Sequence, residues 1–498
     1  MSSSPHSAAG GDGPSMKREL GWYASFAIAF GFVSIATGIF TTYGAVLNSS
    51  GPRGIWAWPI AVAGQLSVAL IFGALAARMP ISGYAYQWVS RLANPIWGWL
   101  MGWVSFTFLA VVVVAVDYTI AATILPELFG YASTPQNMWA ITAVVITVQA
   151  VLVALSTRTT NKVNEVAVTV QIIGIIGLTV LLFVVGAVTG KLDFGTLFAT
   201  APVSPESYWS LGDATHAGPF AMAFLLGAFT IVGFESAANL AEETKDPARV
   251  IPKAMVQAVL SLGVLGMLFL IAITALAGDP AQLAASSTPV ASVITAALGP
   301  VVGNVLLALV VVSIFSCGLV ITLSGTRLVW AMSRDQRFPG WQVLRKVSRT
   351  RRTPVAASVF MFVVAQVVLA LFSRSEDALF SLFSAGTLLP ALIYAGTVAM
   401  YAIKRRSLPP SRGFSLGRWE VPVLVFASAW LIYELLIFRD VSFAQPRLYA
   451  AVMIGIGVLY LAYLVIRRGR HGMTMPAMTD IDRELDTTPA APATDRHA

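Results

Sequence analysis

Apolar runs of about twenty residues or more recur along this 498-residue chain. Each is long enough, as a helix rising about 1.5 Å per residue, to cross ~30 Å of hydrocarbon. Twelve such helices are expected, at 23–47, 55–77, 84–125, 138–156, 163–188, 220–240, 251–277, 301–332, 355–372, 379–403, 421–438 and 449–466. The third and eighth exceed what a span requires, which implies tilt or an extension along the surface. Charged residues are only 11% of the chain, against about 25% in a soluble domain, and hydrophobic residues reach 57%. The fold class is therefore an all-α polytopic membrane protein with the bilayer as solvent.

The net charge of +8 does not point to nucleic acid, because the Lys and Arg residues lie between apolar runs rather than on one face. With twelve spans, 27 of the 32 basic residues fall on the side of the termini. Shifting the helix count by one scrambles this asymmetry, so it supports both the count and cytoplasmic termini, with the plasma membrane as the expected location. The first run is longer than a signal-peptide core and lacks a cleavage site, so it is expected to be a retained helix. Cys317, the only cysteine, precludes an intramolecular disulfide and a cysteine metal cluster. The polar tails, Met1 to Ser15 and His471 to Ala498, are expected to be disordered. Asn48-Ser49-Ser50 fits a glycosylation pattern that is common by chance.

Two runs make poor continuous helices. Ser34-Ile35-Ala36-Thr37-Gly38-Ile39-Phe40 lies in the first, and Phe229-Thr230-Ile231-Val232-Gly233-Phe234-Glu235 in the sixth. These positions correspond if the chain is two five-helix repeats plus an extra pair, and matched interruptions in two halves point to a transporter binding site. Unwound backbone cannot face lipid and must line a cavity. Amides opening the following half-helix suit a carboxylate, and freed carbonyls suit an ammonium. An amino acid presents both. Either segment alone reads more simply as close helix packing through small residues; the pairing favours a site.

Several motifs resemble the amino acid–polyamine–organocation superfamily. Ala36-Thr37-Gly38-Ile39-Phe40 is similar to its first-helix segment. Glu235-Ser236, Glu242-Glu243-Thr244-Lys245-Asp246-Pro247 and Ile251-Pro252-Lys253-Ala254 resemble its sixth-helix signature. Met332-Ser333-Arg334-Asp335, Phe338-Pro339 and Thr353-Pro354 resemble its loop after helix eight. Ile39 to Tyr43, Gly51-Pro52 and Pro80 through Trp88 look most like the amino acid/choline transporter branch. The resemblance covers roughly residues 23–403. It implies a five-plus-five inverted repeat with discontinuous helices 1 and 6, two extra C-terminal helices, and alternating access. Tail 1–20, repeats 21–200 and 201–406, the extra pair 407–467 and tail 468–498 are the corresponding divisions. It also implies amino-acid-like substrates, with proton symport or exchange. The substrate carboxylate would meet amides among Ala36, Thr37, Gly38 and Ile39. The amine would meet carbonyls of Phe229, Thr230 and Val232, with Gly233 providing the break. Some members carry a proton-coupling lysine in helix five, where this chain has Gln171.

An ionisable residue at membrane depth is a functional hypothesis, since centring one costs at least ~2.5 kcal/mol. Glu235, after the second interruption, is either a proton-coupling group or a cap on the free amides of a half-helix. Asp117 either contacts a substrate amine or, as we favour, lines a hydrated vestibule. Glu434 reads as structural. Glu242 and Glu243 either pair with Arg or Lys as an inner gate or are simply solvated, the reading we favour.

No nucleotide-binding loop or H-E-x-x-H occurs, and Asp117 lacks a partner aspartate, so an enzyme is not expected and neither cofactor nor metal is implied. The expected function is a secondary transporter of amino acids or related amines, with the proton as coupling ion. The alternatives are an exchanger, a carrier of choline, ethanolamine or polyamine, and, in a different class, a transporter-like sensor or channel. An organic cation would want a carboxylate or an aromatic cage.

Overall fold

A computed structural model describes residues 20–132, 134–286, 288–348, 353–372, 378–411 and 413–468. The two polar tails expected to be disordered lie outside these residues. Twenty α-helices follow in chain order. They open with α1 (Trp22–Val33), α2 (Ile35–Ser50), α3 (Ala57–Arg78), α4 (Tyr84–Leu92) and α5 (Pro95–Thr119). Then come α6 (Leu125–Phe129), α7 (Pro135–Leu155), α8 (Thr157–Val188), α9 (Pro219–Ala223), α10 (Leu225–Thr230) and α11 (Ser236–Asn239). The middle holds α12 (Pro247–Ala275), α13 (Pro280–Ala284), α14 (Pro289–Leu298), α15 (Pro300–Arg334) and α16 (Trp341–Leu344). Last are α17 (Val355–Phe372), α18 (Ala378–Lys404), α19 (Glu420–Ile437) and α20 (Ala444–Arg468).

Among the described residues, eleven helices are long and apolar enough to cross a membrane, with α1 and α2 forming one of them. The sixth expected span is not among the eleven, because it is divided into α9, α10 and α11. Burial separates centre from periphery. The most apolar stretches of α1–α2 and α5 are 94% and 89% buried, against 28% in α7 and 22% in α20. The outer helices turn valines and leucines such as Val144, Val148 and Leu459 outward, a surface that only lipid or another protein makes favourable.

The single helix expected at 84–125 is divided. Asn94 accepts hydrogen bonds from the Ile96 and Trp97 amides at 3.0 and 3.1 Å, and Pro95 occupies the first helical position. An N-cap followed by proline starts a new helix, so α4 stands apart from α5. Tyr86 and Gln87 on α4 both donate to the Asp335 carboxylate beyond α15, at 2.7 and 3.1 Å. Near its other end α5 passes through a π-helical turn, Ile120–Ile124, which widens the helix before α6.

Candidate functional site

The first interruption is narrower than the sequence suggests: Ser34 alone leaves the helix, with φ 32° and ψ 98°. That backbone is sparsely populated for a non-glycine residue and persists only where neighbours over-determine it. Ser34 ends α1 by donating its amide to Phe30 at 3.1 Å, and it starts α2 through its hydroxyl, which accepts from the Thr37 amide at 3.3 Å. Thr37 Oγ1 donates to the same hydroxyl at 2.9 Å, Gln171 Nε2 donates at 3.4 Å, and Ser313 Oγ lies 3.3 Å away. Gln171 thus brings a neutral amide to the break.

The Gly38 amide is taken by the Ser34 carbonyl at 3.1 Å. The amides of Ile35 and Ala36 have no partner among the described residues. Of the expected carboxylate contacts, Ala36 therefore has a free amide, Thr37 and Gly38 are occupied, and Ile39 lies inside α2, fully buried.

The second interruption runs from Ile231 to Glu235. Phe229 and Thr230 form the last turn of α10, and their carbonyls, with that of Val232, accept no hydrogen bond among the described residues. Gly233 has φ +84°, and a side chain there would run into the Phe32 ring. Only glycine meets both constraints without strain. The Gly233 amide donates to Tyr394 Oη at 2.8 Å, and Tyr394 donates to Glu235 Oε2 at 2.7 Å. Glu235 makes no capping bond to α11, which is only four residues long. The cap role is thus replaced by a bond to α18, and so short a helix offers little dipole to an anion.

The two breaks meet. Gly38 lies against the Thr230 side chain so closely that a Cβ on Gly38 would overlap the Thr230 hydroxyl and methyl groups. Ser236 donates to the Ile28 carbonyl at 3.2 Å, joining α11 to α1. Toward the face opposite the described chain ends a chamber of about 470 Å³ opens between α2, α9–α10, α18 and the turn Val441–Phe443. Phe229 and Phe383 meet edge-on in its wall, centroids 4.6 Å apart. No charged side chain lines it among the described residues.

Asp117 does not line a vestibule. It is fully buried, accepts a hydrogen bond from Gln149 Nε2 at 2.7 Å, and packs against Gly318. The favoured solvated reading fails for Glu243, which pairs with buried Arg327 at 2.9 Å, whereas Glu242 pairs with Arg334 at 3.1 Å with both side chains still reaching solvent. The Leu20 amide donates to the Glu243 carbonyl and Lys245 donates back to Leu20, both at 2.9 Å, so the start of the described chain seals the same face. Glu434 is buried beside Gln65, 3.3 Å away. Sequence reasoning missed Tyr394, Arg327 and the capping role of Ser34. Tyr394 sits in an apolar run with no local signal.

The sequence matches the family model of the amino acid permeases over residues 20–459. The chain belongs to the amino acid permease family. Relatives include the amino-acid permease BAT1 of Arabidopsis thaliana, 25% identical, covering 93% of this chain and 93% of its own length. The branched-chain amino acid permease BcaP of Bacillus subtilis is 27% identical, covering 79% and 83%. The GABA-specific permease of Saccharomyces cerevisiae is 24% identical, covering 90% and 81%. The permease family is one of transporters, so the interrupted helices belong to a multi-pass membrane carrier rather than an enzyme.

Proposed function

We propose that this permease moves amino acids across the plasma membrane by alternating access, with the substrate's α-carboxylate and α-ammonium held at the two meeting breaks. The observation that carries the reading is the direct contact of Gly38 with Thr230, which brings the start of α2 and the end of α10 together. Of the expected positions Ala36, Thr37, Gly38 and Ile39, the carboxylate is drawn to the free amide of Ala36, with that of Ile35 beside it, since the Thr37 and Gly38 amides are already bonded to Ser34 and Ile39 lies inside α2. The ammonium is drawn to the unpartnered carbonyls of Phe229, Thr230 and Val232. Gly233 supplies the hinge, Glu235 carries the coupling proton through Tyr394, and buried Asp117 is the second candidate carrier. The termini are cytoplasmic, so the Glu243–Arg327 pair closes the inner face while the chamber opens outward.

Reconstituted protein in liposomes tests this. Saturable accumulation of amino acids against a gradient, increased by an imposed pH gradient, is expected. Accumulation indifferent to the pH gradient replaces proton symport with exchange or another coupling ion. No accumulation of any amino acid removes the reading in favour of a sensor or channel. A cysteine at Val343, in a Cys317→Ser background, is expected to resist impermeant thiol reagents in intact cells, and one at Asp193 to react. The reverse pattern inverts the orientation.

A further inference from the structure

The outer chamber takes part of its wall from outside the first ten expected spans. Ser442 and Phe443, in the turn between α19 and α20, line it together with Phe229 and Phe383. Phe443 is only 1% exposed and packs edge-on against Phe438 with centroids 5.1 Å apart. This turn is bound along its length to the segment that leads into α9. Arg439 donates from Nε to the Asp213 carbonyl at 2.9 Å and from Nη2 to the Leu211 carbonyl at 2.8 Å. Asp440 Oδ2 accepts the Ala217 amide at 2.7 Å, and the Val441 amide donates to the Thr215 carbonyl at 2.8 Å. The other oxygen, Asp440 Oδ1, accepts from the Ser442 amide and hydroxyl at 2.9 and 2.7 Å. Ala217 lies two residues before α9, so one carboxylate joins the turn that carries Phe443 to the approach of the outer half of the broken helix.

The chamber's chemistry is equally defined. Its polar lining is hydroxyls, such as Thr41, Ser384 and Ser442, with the one amide of Asn48, and the rest is aliphatic or aromatic. A charged side chain entering here would give up water for no countercharge, which costs far more than hydroxyls return. An apolar side chain would gain roughly 25 cal/mol for every Å² it buries.

We propose that this chamber is the subsite for the substrate's side chain, that it admits neutral side chains and rejects charged ones, and that Phe443 sets its upper size limit, with Asp440 as the residue that positions Phe443. The proposal rests on the reading that the two breaks hold the backbone charges of an amino acid. Because the turn is tied to the segment entering α9, it follows the outer half-helix, and Phe443 stays against the substrate when that half-helix moves.

Uptake in proteoliposomes, competed by alanine, valine, leucine, phenylalanine, lysine and glutamate, tests this. In the wild type, lysine and glutamate are expected to compete at least tenfold more weakly than leucine. Phe443→Ala is expected to improve the KM for phenylalanine relative to alanine by about tenfold, with Phe443→Leu intermediate. Asp440→Ala is expected to move the same KM ratio in the same direction, and to add nothing in a Phe443→Ala background. Asp440→Asn, which keeps one of the two acceptors, is expected to fall between. An unchanged size ranking in Phe443→Ala and Phe443→Leu overturns the role of Phe443. Additive effects of Asp440→Ala overturn the positioning role. Lysine competing as well as leucine overturns the substrate class. A wild type that transports no amino acid overturns the underlying transport reading, and this subsite with it, before any variant is compared.

Discussion

Gly38 and Thr230 are directly apposed: a Cβ on Gly38, in the first turn of α2, would overlap the side chain of Thr230, the last residue of α10, so there is no room for a methyl between them. The contact fixes how closely the two breaks approach, and it changes what a substitution at Gly38 reports. The added atoms meet Thr230 before they meet any ligand.

Gly38→Ala is therefore expected to lower uptake at least tenfold while leaving the protein in the membrane. Overpacking of this kind costs about 1–3 kcal/mol. Thr230→Gly, which empties the facing position, is expected to recover part of that loss in the double variant. Residues in contact show coupling of about 0.5–3 kcal/mol in such cycles. Strictly additive losses would place the defect of Gly38→Ala in ligand approach instead.

The Tyr394 hydroxyl joins the hinge glycine to the buried acid, accepting from Gly233 and donating to Glu235. Tyr394→Phe leaves both without that partner, at about 1–3 kcal/mol for each buried group. If Glu235 carries the coupling proton, Tyr394→Phe and Glu235→Gln are both expected to flatten the response of uptake to an imposed pH gradient. Counterflow exchange, which needs no net proton movement, is expected to persist. The double variant is expected to be no worse than Glu235→Gln alone. A Glu235→Gln protein that still responds like wild type moves the search to Asp117.

Much of this architecture was legible because lipid leaves so few options. Apolar length indicates the spans, and the Gly and Thr residues at the two interruptions mark the breaks. What stayed hidden depended on partners far away in the chain. Tyr394 meets Glu235 across 159 positions, and Arg327 meets Glu243 across 84. The third expected helix is divided for a different reason: its apolar pattern continues through Asn94-Pro95, and only the cap there separates α4 from α5. From sequence alone, the place of Asp117 in the outer half of the third expected helix suggests a vestibule. Gln149, from the next long helix, is what lets it be buried.

The Glu243–Arg327 pair closes the face on which the described chain begins and ends, and only one side is tightly enclosed: the Arg327 side chain is 2% exposed and the Glu243 side chain 11%. Removing one partner of a buried pair costs about 3–5 kcal/mol, mostly through the charge left behind. Glu243→Gln is expected to favour conformations in which this face opens. A cysteine at Ala237, buried in α11 and placed in a Cys317→Ser background, is then expected to react faster with thiol reagents than in the intact pair. Exchanging the two residues, Glu243→Arg with Arg327→Glu, is expected to slow the reaction again. Equal labelling in all three proteins would make the pair a static brace.

The clasp at Asp440 carries its own pH signature. Partial burial works against ionisation there, but the hydrogen bonds from Ser442 and Ala217, with His216 nearby, outweigh it and hold the carboxyl below the usual carboxylate range. Asp213, in the segment it binds, is held low as well, chiefly by hydrogen bonds from Thr215 and His216. The other charges against this turn among the described residues are Arg439 and Arg447, the latter donating to the Phe438 carbonyl. A depressed folded-state pKa contributes stability that is fully present above the unfolded value, about 3.9 for Asp, and is lost only as pH falls through the lower folded value. Across the window from about pH 7 to about pH 5 the clasp therefore stays charged and closed. The preference of uptake for phenylalanine over alanine is expected to stay flat across that window, even where the uptake rate itself changes with proton supply. Asp440→Asn is expected to be equally flat, at a ratio shifted toward that of Phe443→Ala. A wild-type preference that drifts between those pH values would mean that the clasp titrates there, and that Asp440 does not hold Phe443 as a permanently charged tie.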